Sequence, residues 1–324
     1  CSGLVGSEMC IRDRSYGVDT LVELFRPGAT LSVEVGDEIE ERLFSGEVTG
    51  IDVEHAGDNG VSLRVSAQDL LHRLHKRWPV RAHVDFSLSG LAQELVADIG
   101  LRVEDADAST IWHQRVQHGL SDLDLLREIS ERCGQYFCTQ GDSLHFFSLD
   151  GTSTAVRALT YGDNLLQSRV RLRTDPATRS VDNVGWDPWT TEAYSGQAGE
   201  GRSARTPEAI LAPDRVGGSG HLTLSGLALQ SDDQAGVQAQ AELDRALAGE
   251  VTLWGIAEGD PGLFPGARVT LQGLPESLAG NFVLTAVNHS IDNRHGFTSE
   301  VTSAPPQRAL AQHPGASLAV AEVT

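Results

Sequence analysis

Leu24-Phe25-Arg26-Pro27-Gly28-Ala29-Thr30-Leu31-Ser32-Val33 returns near the other end of the chain as Leu263-Phe264-Pro265-Gly266-Ala267-Arg268-Val269-Thr270-Leu271. In each copy Pro fixes one backbone angle and Gly frees the next, which turns the chain into a sheet corner ahead of an alternating strand. A small hairpin follows in both, leading to Phe44-Ser45-Gly46-Glu47-Val48 and to Leu278-Ala279-Gly280-Asn281-Phe282, with Gly46 set against Gly280. Two such units, one near each end, predict a mainly β, α+β protein: two similar small β-barrels flanking a mixed α+β insertion.

Working outward, residues 15–85 form the first barrel. Leu31, Val33 and Val35 alternate, Phe44–Val53 continues the pattern, Gly57–Gly60 turns, and Val61–Val65 returns. Gln68–Trp78 shifts to helical spacing through Leu70, Leu71 and Leu74 until Pro79 stops it. Residues 86–150 form the middle block. A helix capped by Ser87 or Ser89 carries Leu91, Leu95, Val96 and Ile99, and a second opens at Ser121-Asp122 and closes at Gly134. Gln135–Leu149 is a hairpin about Gln140-Gly141-Asp142. Residues 151–303 make the second barrel, with strands over Ala155–Val184, a Gly/Ser/Ala/Pro-rich loop at 195–220, an Ala-rich helix at Gln234–Leu247 and strands again from Val251 to Val301. Residues 304–316 read as a linker, and 317–324 as the first strand of a further domain that is cut off, which the resemblance given below makes OB-like. Residues 1–14, which hold the only Met and resemble a translated adaptor, read as a non-native scar outside the fold.

The chain has 324 residues, 45 acidic against 25 basic, and a formal charge of −20. That balance argues against a general binder of nucleic acid or anionic membranes, since both need a basic footprint. No run reaches the roughly 18–20 apolar residues of a membrane helix. Cys133 and Cys138 are the only cysteines after the first fourteen residues, which fits a disulfide-independent fold.

Chemistry-bearing residues are few. His72 and His75 sit at i, i+3 with His83 nearby, but Arg73, Lys76 and Arg77 between them repel a dication. Cys133-x4-Cys138 with His145 has knuckle-like spacing but lacks the second pair of a zinc ribbon. Asp122, Asp124 and Glu128 could form an acid–base pair, yet the first two are also what the first turn of a helix prefers. Arg169, Arg171 and Arg173 put three positive charges on one strand face, either solvated or facing an acidic partner. No G-x-S-x-G, Walker loop, H-E-x-x-H or G-x-G-x-x-G after a strand is present. No catalytic, cofactor-binding or metal residues are therefore expected.

Several strings together resemble one family. Phe25–Val33 and Leu43–Ile51, Ser66–Leu74, Gln117-His-Gly-Leu-Ser-Asp-Leu-Asp-Leu-Leu-Arg-Glu128, Val184-Gly-Trp-Asp-Pro188 and Gly259–Ala267 resemble, in order and spacing over about residues 20–303, phage late control protein D and the hub part of VgrG-type spike proteins. The resemblance implies a structural baseplate hub without enzymatic activity or cofactor. Its partners would be itself as a homotrimer, the tail tube protein, the spike (OB) domain of the same full-length chain, the spike tip and other baseplate proteins, with no specific nucleic acid and no membrane anchor. It would assemble in the bacterial cytoplasm and end in a phage tail or injection particle. The Gly-Trp-Asp-Pro string leans toward phage-like extracellular particles. From other classes, the alternatives are a cell-wall-cleaving hub, with Asp122 and Glu128 as first suspects, and a generic β binding module.

Overall fold

The computed structural model describes residues 6–11, 18–36, 41–55, 61–150, 157–173, 177–187, 190–202 and 213–307. The turn expected at Gly57–Gly60, much of the 195–220 loop and the strand expected at 317–324 lie outside these residues.

The first unit comprises β1 (Gly6–Ile11), α1 (Val18–Leu24), β2 (Thr30–Val35), β3 (Glu41–His55) and β4 (Val61–Gln68). Its strands form an antiparallel sheet in the order β1-β4-β3-β2. Part of the segment that the sequence leaves out of the fold is thus its edge strand β1. The helix expected over Gln68–Trp78 shrinks to the single turn α2 (His72–His75). Here His72, Arg73, Leu74, Lys76 and Arg77 all donate to the residue three back rather than four back, the tighter winding that stays short.

The middle block contains β5 (Arg81–Phe86), α3 (Leu88–Val96), β6 (Arg102–Glu104), β7 (Trp112–Gln117), α4 (Asp122–Arg132), β8 (Gln135–Gln140) and β9 (Ser143–Ser148). Ser87 caps α3 by accepting from Gly90 N–H at 3.1 Å. Ser121 and Asp124 make a reciprocal capping box on α4. Both faces of the β8–β9 hairpin are buried. Phe137 and Phe146 pack into the largest core with Leu91, Leu95, Leu125, Leu126 and Ile129, while Tyr136, Cys138 and Phe147 pack on Val283. That explains the continuous apolar runs of this hairpin, since a two-sided burial removes alternation.

The second unit holds β10 (Arg157–Thr160), β11 (Leu165–Leu172), β15 (Val251–Glu258), β16 (Arg268–Gln272), β17 (Gly280–Val283), β18 (Ala286–Asp292) and β19 (Gly296–Thr302), in sheets ordered β10-β16-β17 and β11-β15-β19-β18. Between β11 and β15 lies an insertion: β12 (Ser180–Asp187), β13 (Glu192–Ala198), β14 (His221–Leu227) and α5 (Asp232–Glu250), with its own core of Val181, Ala198, Ala239, Leu243 and Leu247. Ser195–Ala198 is therefore strand rather than loop. Helix α5 starts earlier than the Ala-rich pattern predicts, because Ser231 caps it by accepting from Gln234 N–H at 3.2 Å.

The repeat is visible in the hydrogen bonds. Gly28 N–H donates to Val48 O at 2.8 Å, Val48 N–H to Ala29 O at 2.8 Å and Ala29 N–H to Arg26 O at 2.9 Å. In the second unit Gly266 donates to Leu284, Leu284 to Ala267 and Ala267 to Phe264, at 2.7, 2.9 and 3.0 Å. Gly28 and Gly266 both adopt left-handed φ, +88° and +95°, a conformation that costs a side-chain-bearing residue roughly 1–2 kcal/mol. Beyond the corner each unit bends at a threonine whose hydroxyl donates across the sheet: Thr49 to Ser66 O at 3.4 Å, Thr285 to Thr302 O at 3.1 Å. Strand β3 is thus matched by β17 plus β18, β4 by β19 and β2 by β16. Register corrects one sequence alignment: Leu31 pairs with Gly46 and Val269 with Phe282, so the counterpart of Gly46 is Phe282, not Gly280.

The expected barrels are open. Among the described residues none of the six sheets closes on itself. In unit two the bend at Leu284-Thr285 hands the chain from one sheet to another, and the two sheets pack face to face around Leu253, Val269, Phe282 and Val301. In unit one β1 and β2 remain unpaired edges.

Candidate assembly surfaces

The structure disperses the candidate metal ligands. His72 is buried, with Nδ1 2.7 Å from Asp69 O and Nε2 3.3 Å from Glu47. His75 is exposed and stacks edge-on with Trp78. His83 Nε2 accepts from Arg81 at 3.2 Å. Glu47 is ion-paired with Arg73, whose guanidinium holds its carboxyl below the usual range. Cys138 and His145 lie opposite each other in the β8–β9 register, but His145 turns to Asp105 at 3.2 Å and the Cys138 thiol to Pro265 O at 3.4 Å. Cys133 ends α4 and packs on the main core. Burial pushes both thiols up to about 12, so neither is a ready thiolate. Among the described residues no three His, Cys, Asp or Glu side chains converge on a common point.

The carboxylates are also committed. Buried Asp122 accepts from Arg81 at 3.1 Å and from Gln117 Nε2 at 2.9 Å. Asp124 serves the α4 cap. Glu128 pairs with Arg115 and with Arg132, the latter at 2.7 Å. Sequence reading missed one polar cluster, since its members are far apart in sequence. Ser180 Oγ lies 3.0 Å from His221 Nδ1, and Asp182 lies 3.4 Å from Nε2. All three stand on the open face of the β12–β14 pair, where Thr223 also reaches His221 Nε2 at 3.3 Å. This is a cross-strand polar ladder in water, without the enclosed geometry a nucleophile needs.

What remains are surfaces. Strand β11 is the edge of its sheet, and Arg169 and Arg171 share its exposed face, while Arg173 lies one residue past its end. Arg169 stacks over Trp254 at 5.2 Å, and Trp254 Nε1 donates to Glu300 at 2.7 Å. Arg171 and Arg173 have no acidic partner among the described residues. In the sequence, residues 30–60 hold nine carboxylates and a single Lys or Arg, Arg42. Among the described residues no helix is long and apolar enough to cross a membrane.

Solved structures that share this fold include two tail proteins and a type VI secretion component. The 43 kDa tail protein of prophage MuSo2 from Shewanella oneidensis is 15% identical, with a TM-score of 0.67 over 93% of this chain and 89% of that one. A tail protein from Neisseria meningitidis MC58 is 16% identical, with a TM-score of 0.61 over 92% and 90%. An E. coli component of the type VI secretion system, itself structurally similar to the T4 bacteriophage tail proteins gp27 and gp5, is 11% identical, with a TM-score of 0.61 over 94% and 71%. At these identities the likeness establishes a shared fold. No curated protein sequence matches the chain. The family model of the Alg8 N-terminal domain matches residues 19–293.

Proposed function

The chain belongs to the Alg8 N-terminal domain family, and we propose that it is a structural baseplate hub subunit, joining a tail tube to a spike in a contractile, phage-tail-like injection system. The observation that carries this reading is the duplicated unit within a tail-protein fold: the same Pro-Gly corner, the same three backbone hydrogen bonds and the same threonine bend at both ends of one chain. Three copies would present six near-equivalent units, closing toward barrels in the assembled ring. Such a ring matches a six-fold tube on one side and a three-fold spike on the other, a symmetry adapter built from one gene product.

The work would be mechanical. The hub transmits the thrust of sheath contraction to the spike and needs no cofactor and no reacting group. Asp122 is held by Arg81 and Gln117 and Glu128 by Arg115 and Arg132, which supports this over a cell-wall-cleaving hub, because a general acid must be free to reach the bond it cleaves. In purified particles carrying a tagged chain, electron microscopy is expected to find three copies between tube and spike. Absence of the tag from intact particles would sink the reading.

A further inference from the structure

The two units differ in what covers their strands. In unit two the outer edge of β16 is paired by β10, in parallel, and Val269 and Leu271 are 0% and 1% exposed. In unit one no strand among the described residues pairs the outer edge of the matching strand β2, and the matching residues Leu31 and Val33 are only half-buried. Unit one is unfinished on that side. Its fully buried cluster consists of Val48, Leu63 and Val65, whereas the unit-two cluster extends from Leu159 to Val301. An unpaired edge over a half-covered apolar row is a template for another strand.

The charges say which one. Residues 30–55, which run through β2 and β3, have eight carboxylates against Arg42; Glu34, 3.4 Å from Arg42, lies on β2 and Glu41 begins its hairpin partner β3, and both are exposed. Among the other strands at sheet edges β11 stands out by charge, since its residues 165–173 contain three arginines and no acid. Two of these arginines, Arg171 and Arg173, have no acidic partner among the described residues, although the chain carries a net charge of −20. An unpaired basic strand on so acidic a chain finds its complement on another acidic surface. The one that also needs a strand is β2 of a neighbouring copy.

We propose that the β11 edge of one copy docks along the β2 edge of the next, with Arg171 and Arg173 facing the carboxylates around Glu34 and Glu41. The contact is head-to-tail, uses a different surface on each partner, and can therefore close into a ring. It continues the unit-two sheet of one copy into the unit-one sheet of its neighbour. It also covers Leu31 and Val33 in the way β10 covers Val269 and Leu271. This rests on the hub reading and names the interface by which the copies would meet.

The test is self-association of the full chain, followed by analytical ultracentrifugation. The wild-type chain is expected to associate more weakly as salt rises, since the contact is largely charge-steered. Arg171→Glu with Arg173→Glu is expected to weaken association by about tenfold or more, and adding Glu34→Arg and Glu41→Arg to the same chain to restore most of it. All four residues are exposed, and circular dichroism reports whether each variant keeps its fold. Should the double glutamate variant misfold, Arg171→Gln with Arg173→Gln removes the same charges more gently. A wild-type chain that forms trimers unaffected by these changes overturns the docking while leaving the hub reading in place. A wild-type chain that stays monomeric at every concentration overturns both.

Discussion

His289 shows how much a single side chain can tie together. Its Nε2–H donates to Leu263 O at 3.1 Å, and Nδ1 accepts from Ser299 Oγ at 2.9 Å, while Ser299 Oγ accepts from Asp260 N–H at 3.2 Å. The ring therefore ties the β18–β19 hairpin to the turn that opens the second Pro-Gly corner. Burial pushes its pKa below the ordinary histidine value. The folded state thus favours the neutral ring, and the unfolded chain binds more protons as pH falls below about 6.5. The contribution is complete above that pH and is lost as pH falls toward the folded-state value. Thermal melts at pH 7.5 and 5.5 are expected to show a larger acid loss for wild type than for His289→Gln; equal losses would remove His289 as the cause. Residues of this kind were not legible in the sequence, because their partners lie far along the chain. The same holds for Glu250, wholly buried and paired with Arg179 across 71 positions. The caps Ser87 and Ser121 were legible, since a cap and its helix are neighbours in sequence.

At the scale of elements, the Pro-Gly corner was readable because it carries a conformational demand in two adjacent residues. The strand pairing beyond it was not, and the alignment of Gly46 with Gly280 slipped by two residues, which keeps the same face and so leaves the alternation pattern undisturbed. The two corners share a backbone but not their surroundings, and that separates their sensitivity to mutation. A Cβ on Gly28 would meet nothing within 4 Å, whereas one on Gly266 would press on the Phe147 ring at 2.8 Å. Gly28→Ala is expected to cost about 1–2 kcal/mol, for the left-handed φ alone. Gly266→Ala adds overpacking and is expected to cost roughly 1–3 kcal/mol more. Urea unfolding of the two variants measures the difference, and equal losses would mean that the Phe147 contact relaxes freely. The start of β12 falls within the strands expected over Ala155–Val184, but β13 and β14 under α5 escaped sequence reading. They are half wet and interrupted by Gly and Ser, so their signal is that of loop until α5 is seen to cover them.

For the molecule as a whole, the uneven cores set an order of stability that the sequence alone conceals. Alternation in Leu31, Val33 and Val35 looks as good as that in Val269 and Leu271, yet burial depends on what lies across the edge, and among the described residues only unit two supplies its own covering strand. Local opening follows the apolar area that holds an element down. The backbone amides of the β3–β4 pair should therefore exchange with solvent sooner than those of the β15–β19 pair in the isolated chain, although each is the central pairing of its own four-stranded sheet. On assembly the order should narrow, with β2 gaining most of the protection, because its edge is where the missing cover arrives. Hydrogen–deuterium exchange read by mass spectrometry, on the dilute chain and on the associated one, makes the comparison directly. Faster exchange in β15–β19, or unchanged protection of β2 on association, would mean that unit one is already complete and that the copies meet elsewhere. Slower exchange of β2 alone would show that a fold with one finished and one unfinished unit reserves part of its folding energy for assembly, which keeps an acidic subunit dispersed until its neighbours are present.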